Sequence, residues 1–439
     1  MPIATAPGAL PLLGHFVRLG RDPLGFMDSL RGRGDLVEIK LGPLRFVVVC
    51  DPHLSHQVLT DLRTFDRTGP VYDRIRWAMG NGVASAVHGE HRRQRLIMQP
   101  AFHTRHLPGY AEVMRGQTAA MVEGWRDGQV VDLVEELFRL TTSIALQALF
   151  SAGLDAQDGE RLREAFEVFL RGSYRQIVLP ALSRLPLPAN RRYQAALRQW
   201  RAQVQDLIER YRSSGGDQGD LMGRLLTARG EDGEGLSDEE LSDQVAVLLI
   251  AGAETTSAAL TWAIDLLCRH PEVLEAACAE TDRVLGGETA NWEHLPELDL
   301  TARVIQEALR LYPPSWLLPR TTTRETTLGG HVLPAGTPVM VSEYVLHHDP
   351  ALFPAPDRFD PDRWSASGPS IDRRSYIPFG GGPTKCLGEQ FASAEAVLVL
   401  ASILAKWTPR LRDPHAAAKP DARIVLLPRH LMVRLAARA

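Results

Sequence analysis

Phe379-Gly380-Gly381-Gly382-Pro383-Thr384-Lys385-Cys386-Leu387-Gly388 is the stretch on which the reading of the fold turns. Three consecutive glycines let a backbone fold tightly and approach a flat surface closely, because no Cβ stands in the way. A helix pattern follows, from about Leu387 to Trp407, and its first amides would be aimed at the Cys386 sulfur, favouring thiolate over thiol. A lone cysteine is most often a small buried hydrophobe. That description suits Cys50, at the end of a strand-like run, and Cys268 and Cys278, on apolar helix faces. For Cys386 the glycine loop and the helix behind it point instead to a sulfur presented to a planar cofactor, as in axial ligation of haem iron.

The chain around this loop has an ordinary globular make-up. Of 439 residues, 44% are hydrophobic and 23% charged, and 49 basic against 53 acidic side chains give a net charge of -4. This is ample apolar material for a large core, and it excludes a disordered tail, a coiled coil and a strongly basic nucleic-acid binder. Lysine occurs only at Lys40, Lys385, Lys406 and Lys419; the arginine excess fits the coding bias of a high-GC bacterium. Four cysteines without metal-type spacing indicate a reducing compartment. The longest apolar run, Val245–Ala253, is too short for a signal peptide or a membrane span. The expectation is a soluble cytoplasmic protein.

Hydrophobic periodicity predicts a mainly α fold with a small β part, in one domain over 1–439. An irregular lead-in (Met1–Leu19) and a helix from about Pro23 to Arg33 precede a hairpin, Leu36–Lys40 and Arg45–Cys50, turned at Gly42-Pro43. From Leu54 to Leu285 the pattern is mostly helical, with packed helices over Met121–Ala152 and Glu160–Arg171 and loops at Arg67–Ser85, 179–188 and 215–220. Ser237 with Glu240 forms a capping box that opens a long helix running to Pro271, apolar on nearly all sides. Two shorter helices follow, the second ending near Tyr312. Strand-like pieces fill Thr322–Met340, and Phe353–Gly382 is irregular, a length of loop that is usually functional.

The glycine loop resembles the haem-binding loop of cytochromes P-450. Phe379, Gly382, Cys386 and Gly388 match the family pattern, whereas Thr384 stands where the family has Arg or His. Three further motifs agree in order and spacing. Ala251-Gly252-Ala253-Glu254-Thr255-Thr256 resembles the family's central-helix element, where the glycine widens a groove for dioxygen. Glu307 and Arg310, three apart on one helix face, resemble its Glu-x-x-Arg pair. Arg363, in Pro361-Asp362-Arg363-Trp364, would be the third member of a buried cluster, in preference to Arg358. His91 and Arg95, and Arg320 at a strand start, resemble its haem-propionate contacts and would carry the duty that Thr384 cannot.

The resemblance implies a haem-thiolate monooxygenase using haem b and O2. Cys386 would be the iron ligand, with Phe379, Gly380, Gly388, Ala251 and Gly252 also against the haem. Thr255 would organise hydrogen bonds at the iron-bound oxygen and Glu254 would relay protons. Leu248, Ser315, Trp316, Leu317 and Leu318 would line a pocket for a hydrophobic small molecule. The segment Gly89–Phe102 looks closest to bacterial members that act on terpenes in secondary metabolism, while fatty acids, macrolides and steroids are alternatives. Electrons would come from a separate ferredoxin and ferredoxin reductase, with Arg92, Arg93 and Lys385 as contacts for an acidic ferredoxin. No nucleic-acid or membrane partner is implied, and the protein is expected to be a monomer. A peroxygenase or isomerase, and a non-catalytic haem sensor or scaffold, share the cofactor; the Glu254–Thr255 pair argues for the monooxygenase.

Overall fold

The computed structural model describes residues 3–150, 156–178, 185, 187–213, 219–231, 233–415, 418–422 and 424–438. The loops expected over 179–188 and 215–220 lie largely outside these residues.

The long central helix spans Asp238–Arg269. The Ser237 hydroxyl accepts the Glu240 amide (3.2 Å) while the Glu240 carboxylate accepts the Ser237 amide (2.9 Å), so two of the orphan N–H groups at the helix start are satisfied. The helix is long and apolar enough to cross a membrane. Here the residues from Thr256 to Leu267 are instead buried on every face. It packs on helices Leu133–Phe150, Asp299–Leu311 and Glu389–Lys406.

A six-stranded sheet stands apart from these helices. Its strands are β1 (Ala4–Thr5), β2 (Leu36–Leu41), β3 (Leu44–Val49), β4 (Phe65–Asp66), β5 (Leu318–Thr322) and β6 (Pro338–Val341), in the order β1-β2-β3-β6-β5-β4. The expected hairpin is present, with Leu41 opposite Leu44 and Gly42 at φ 61°, the left-handed start that a two-residue hairpin turn requires. β1 was hidden in the proline-flanked lead-in.

Three expectations change. The helix from Pro23 ends at Asp28, not Arg33, because the chain beyond it tightens into i→i+3 turns (Leu30 amide to the Met27 carbonyl, 3.0 Å; Arg31 amide to the Asp28 carbonyl, 3.1 Å) before Gly32 takes positive φ. The loop expected at Arg67–Ser85 contains a helix, Gly69–Met79; Pro70 sits in its first turn, where a missing N–H costs nothing. A short strand, Val130–Asp132, splits the helical Met121–Ala152 region.

The irregular stretch before Cys386 is organised by one carboxylate. Glu307 is fully buried and accepts from Arg310 Nε (2.9 Å) and Nη2 (2.8 Å), Trp364 Nε1 (2.9 Å) and the Asp360 amide (3.1 Å), with Arg363 Nε at 3.5 Å. Arg310 then donates to the backbone carbonyls of His347 (3.0 Å), Pro356 (2.6 Å) and Arg358 (3.1 Å). Arg363 is thus the third member of the cluster; Arg358 contributes only its carbonyl, and its side chain is exposed. Glu307→Ala would leave two buried guanidiniums without their acceptor and is expected to cost about 3–5 kcal/mol in denaturant titrations of the haem protein. Arg358→Ala is expected to stay within about 0.5 kcal/mol of the parent.

Candidate active site

The loop closes on itself through the Cys386 amide, which donates to the Phe379 carbonyl at 2.8 Å. Gly382 lies at φ 63°, and a Cβ there would meet the Leu59 carbonyl oxygen at 2.3 Å, so no other residue fits. Gly388 caps helix Glu389–Lys406. Of the four cysteines Cys386 is the exposed one. Burial pushes Cys50 and Cys268 up to about 12, which marks them as inert. The Cys386 thiol is also raised, because protein crowds most of its surroundings even though the residue as a whole is exposed. The Gly388 amide and the Arg95 charge pull it back down. The helix amides therefore do not by themselves secure the expected thiolate. A metal cation at the sulfur would, since a coordinating thiol is deprotonated outright.

Around this loop stands a group of basic side chains with no carboxylate paired to them among the described residues. Arg95 Nη1 donates to the Lys385 carbonyl (2.6 Å), tying helix His88–Met98 to the cysteine loop. Arg320 is buried and donates from Nη2 to the Thr384 hydroxyl (2.9 Å) and from Nη1 to the Pro319 carbonyl (2.7 Å); its Nε has no partner. Arg67 donates to the Val83 carbonyl (2.8 Å), and its buried Nε is likewise unpartnered. Burial lowers Arg67 to about 10. His91, 3% exposed, is depressed to about 3 by burial and then by Arg67, Arg95 and Arg320. Three guanidiniums facing a histidine forced to stay neutral are an electrostatic demand for a buried anion.

The central helix contributes an accessible stripe at helical spacing. Leu248, Gly252 and Thr255 are half-buried and Ala251 is exposed, between turns that are otherwise buried. The helix continues without a break through Gly252, where an added Cβ would stand 3.4 Å from Ala145. That is ordinary van der Waals contact, so packing on helix Leu133–Phe150 does not by itself demand this glycine. Thr255 Oγ1 donates to the Ala251 carbonyl at 2.5 Å, leaving its lone pairs free to accept. Thr141 donates to the Ala253 carbonyl (2.7 Å) and pins the helix beside Glu254.

The family described as Cytochrome P450 matches residues 5–435. The chain belongs to that family. Its relatives include cyclooctatin synthase of Streptomyces melanosporofaciens, 44% identical over 92% of this chain and 90% of that one. Pentalenene oxygenase of Streptomyces avermitilis is 42% identical over 99% and 97%. Cyclooctat-9-en-7-ol 5-monooxygenase of Streptomyces melanosporofaciens is 42% identical over 93% and 89%. Among solved structures, the haem domain of cytochrome P450DA superposes with a TM-score of 0.91 at 30% identity, covering 100% of this chain and 98% of that one.

The protein is thus a P450 monooxygenase, and its cofactor is haem b. The residues in place fit that group: an exposed cysteine on a glycine loop, an apolar accessible stripe, and unpartnered guanidinium nitrogens suited to a dicarboxylate. In this P450, Thr384 is engaged by Arg320, and Arg67 adds a cation that the sequence reading missed. Its only local signal is the Asp66-Arg67 pair, and its relation to His91 and Arg320 is a long-range contact. Lys385 pairs with Glu389 (2.6 Å) and Arg93 with Glu240, so of the expected ferredoxin contacts only Arg92 stands exposed and free of an ion pair among the described residues. Trp316 corrects the expected lining: it is 3% exposed, buried in the core cluster of Phe26, Val37 and Val48 beneath the sheet. Ser315, Leu317 and Leu318 remain partly accessible.

Two outcomes follow for the P450. Each charge-assisted hydrogen bond contributes roughly 1.5–3 kcal/mol, so Arg67→Gln is expected to speed haem transfer to apomyoglobin by about ten-fold or more. In the haem-free protein, unfolded His91 takes up a proton below pH 6.5 that the folded site refuses until about pH 3. His91 therefore subtracts stability as pH falls through that window, and His91→Phe is expected to flatten the acid limb of the stability curve.

Proposed function

We propose that this P450 hydroxylates a hydrophobic terpene or terpenoid in secondary metabolism, as a monomeric cytoplasmic enzyme whose 439 residues form one haem domain. Electrons come from a ferredoxin and its reductase. The observation that carries the substrate class is the stripe Leu248, Ala251, Gly252 and Thr255, which offers apolar surface and one hydroxyl but no charge. The names of the relatives, cyclooctatin synthase and pentalenene oxygenase, point the same way.

Bound haem b supplies reductive activation of O2 and delivery of one oxygen atom to a C–H bond. Cys386 Sγ would hold the iron, and Arg67, Arg95, Arg320 and His91 would hold the propionates. Phe379, Gly380 and Gly388 give the loop the shape against which the macrocycle would lie. The Thr255 hydroxyl, already donating to Ala251, accepts a hydrogen bond from an incoming proton donor, and the adjacent Glu254 carboxyl passes protons inward. Leu248 and Ala251, with Leu317 and Leu318, exclude water and orient the substrate.

Support for an acidic ferredoxin comes from Arg92 and Arg373, which stand exposed and free of an ion pair among the described residues. Arg373 lines a cleft of about 590 Å³ beside the cysteine loop, in which Arg363, Arg374 and Lys385 are paired with Glu307, Asp372 and Glu389.

Thr255→Ala is expected to leave substrate binding intact while product formed per NAD(P)H falls by about ten-fold or more, with peroxide accumulating; unchanged coupling would refute the proton-delivery role. Cys386→Ser is expected to abolish the thiolate-type Soret band of the reduced CO complex. Turnover supported by ferredoxin, reductase and NAD(P)H but not by peroxide separates the monooxygenase from a peroxygenase.

A further inference from the structure

Residues 80–85 form neither helix nor strand, yet their backbone is tied on three sides. The Asn81 amide donates to the Asp243 carboxylate (2.7 Å) and the Val83 amide to Gln244 Oε1 (2.8 Å), so two consecutive side chains of the central helix hold the segment. The Asn81 carbonyl accepts from Gln94 Nε2 (2.9 Å), on the helix that carries His91 and Arg95. The Val83 carbonyl accepts from Arg67 Nη1 (2.8 Å). Arg76 Nη1 donates to the carbonyls of Ser85 (2.9 Å) and Arg67 (2.8 Å), and the Ser85 hydroxyl closes the turn on the Gly80 carbonyl (2.8 Å).

The docking on the central helix is close. Gly80 lies at φ 88°, and a Cβ there would stand 2.1 Å from Asp243 Oδ1; a Cβ on Gly82 would stand 2.7 Å from Val247 Cγ2. Both glycines let the backbone lie against the helix where any side chain would hold it off. Gln244 precedes Leu248 by four residues and Gly252 by eight, so the docking face extends the accessible stripe by one turn. A backbone without ladder partners keeps its place only through such side-chain acceptors and donors.

Arg67 is where this segment meets the cofactor site. Its Nη1 is spent on the Val83 carbonyl, while its buried Nε has no partner. A guanidinium is a rigid planar fork, so a carbonyl that holds Nη1 also sets the direction in which Nε points. Asp243 and Gln244 fix the backbone of Asn81 and Val83, and that backbone fixes Arg67.

We propose that Asp243 and Gln244 are positioning residues for the cofactor, holding segment 80–85 as a strut that aims Arg67 at a haem propionate. The proposal rests on the reading of Arg67 as a propionate contact. The test is a double-mutant cycle on the rate of haem transfer from the holoenzyme to apomyoglobin. Asp243→Ala is expected to speed transfer about five-fold in the parent and less than about two-fold in the Arg67→Gln background, because residues that act through one contact are not additive. Gln244→Leu is expected to follow the same pattern. Asp243→Asn keeps an oxygen for the Asn81 amide and is expected to stay within about two-fold of the parent. Gly80→Ala, which pushes the turn off the helix with both acceptors in place, is expected to match Asp243→Ala. Hydrogen exchange of the peptide over 80–87 is expected to quicken in Asp243→Ala and Gly80→Ala and to keep the parent rate in Asp243→Asn. Equal acceleration by Asp243→Ala in both backgrounds, as general loosening of the fold would give, or none in either, would overturn the strut and leave Arg67 in its role. Unchanged transfer in Arg67→Gln alone would instead overturn the propionate reading, and the strut with it.

Discussion

A single buried carboxylate, Glu307, carries the geometry of this molecule. It gathers two guanidiniums, an indole N–H and a backbone amide in a place where water cannot substitute for any of them. Such a cluster gains little net stability over an apolar one, but it cannot lose a member cheaply. Its value here is specification. The segment from His347 to Trp364 has almost no regular structure, so its backbone carbonyls need donors from elsewhere, and Arg310 supplies three of them. The chain thereby arrives at Phe379 in a defined position, and the glycine loop can present Cys386 to the haem.

The second constraint is electrostatic. Arg67, Arg95 and Arg320 surround a histidine that burial and their charges hold neutral, and two of the guanidiniums keep an unpartnered nitrogen. This arrangement is unfavourable in the protein alone and becomes favourable with a dicarboxylate between the cations. Cofactor binding and local stability are therefore linked, in the sense that a ligand binding only the folded state stabilises it by mass action. Thr384, which replaces a charged residue of the family pattern, fits within this scheme because it accepts a hydrogen bond from Arg320 and so helps to aim it.

Much of this was legible in the sequence because the signals are local. The glycine loop with its cysteine, the capping box at Ser237 and the Glu307–Arg310 spacing are each a few residues long, and their order along the chain adds the rest. What escaped depends on contacts between distant segments. Arg67 gains its meaning from His91 and Arg320, and Thr141 from the Ala253 carbonyl. Helix Gly69–Met79, inside the expected Arg67–Ser85 loop, opens on Gly69 and Pro70, residues that break a helix interior but can start one. Trp316 was placed in the substrate pocket by motif spacing, yet its large ring is spent on the core beneath the sheet.

The apolar stripe of the central helix, set over a haem thiolate, is suited to insertion of one oxygen atom of O2 into a terpene C–H bond. Turnover of a cyclic terpene hydrocarbon under ¹⁸O2, with ferredoxin, reductase and NAD(P)H, tests this most directly by mass spectrometry of the product. The expected product is an alcohol that carries a single labelled oxygen per hydroxyl. An unlabelled alcohol, with its oxygen taken from water, would contradict it, as would consumption of O2 that leaves every terpene unchanged.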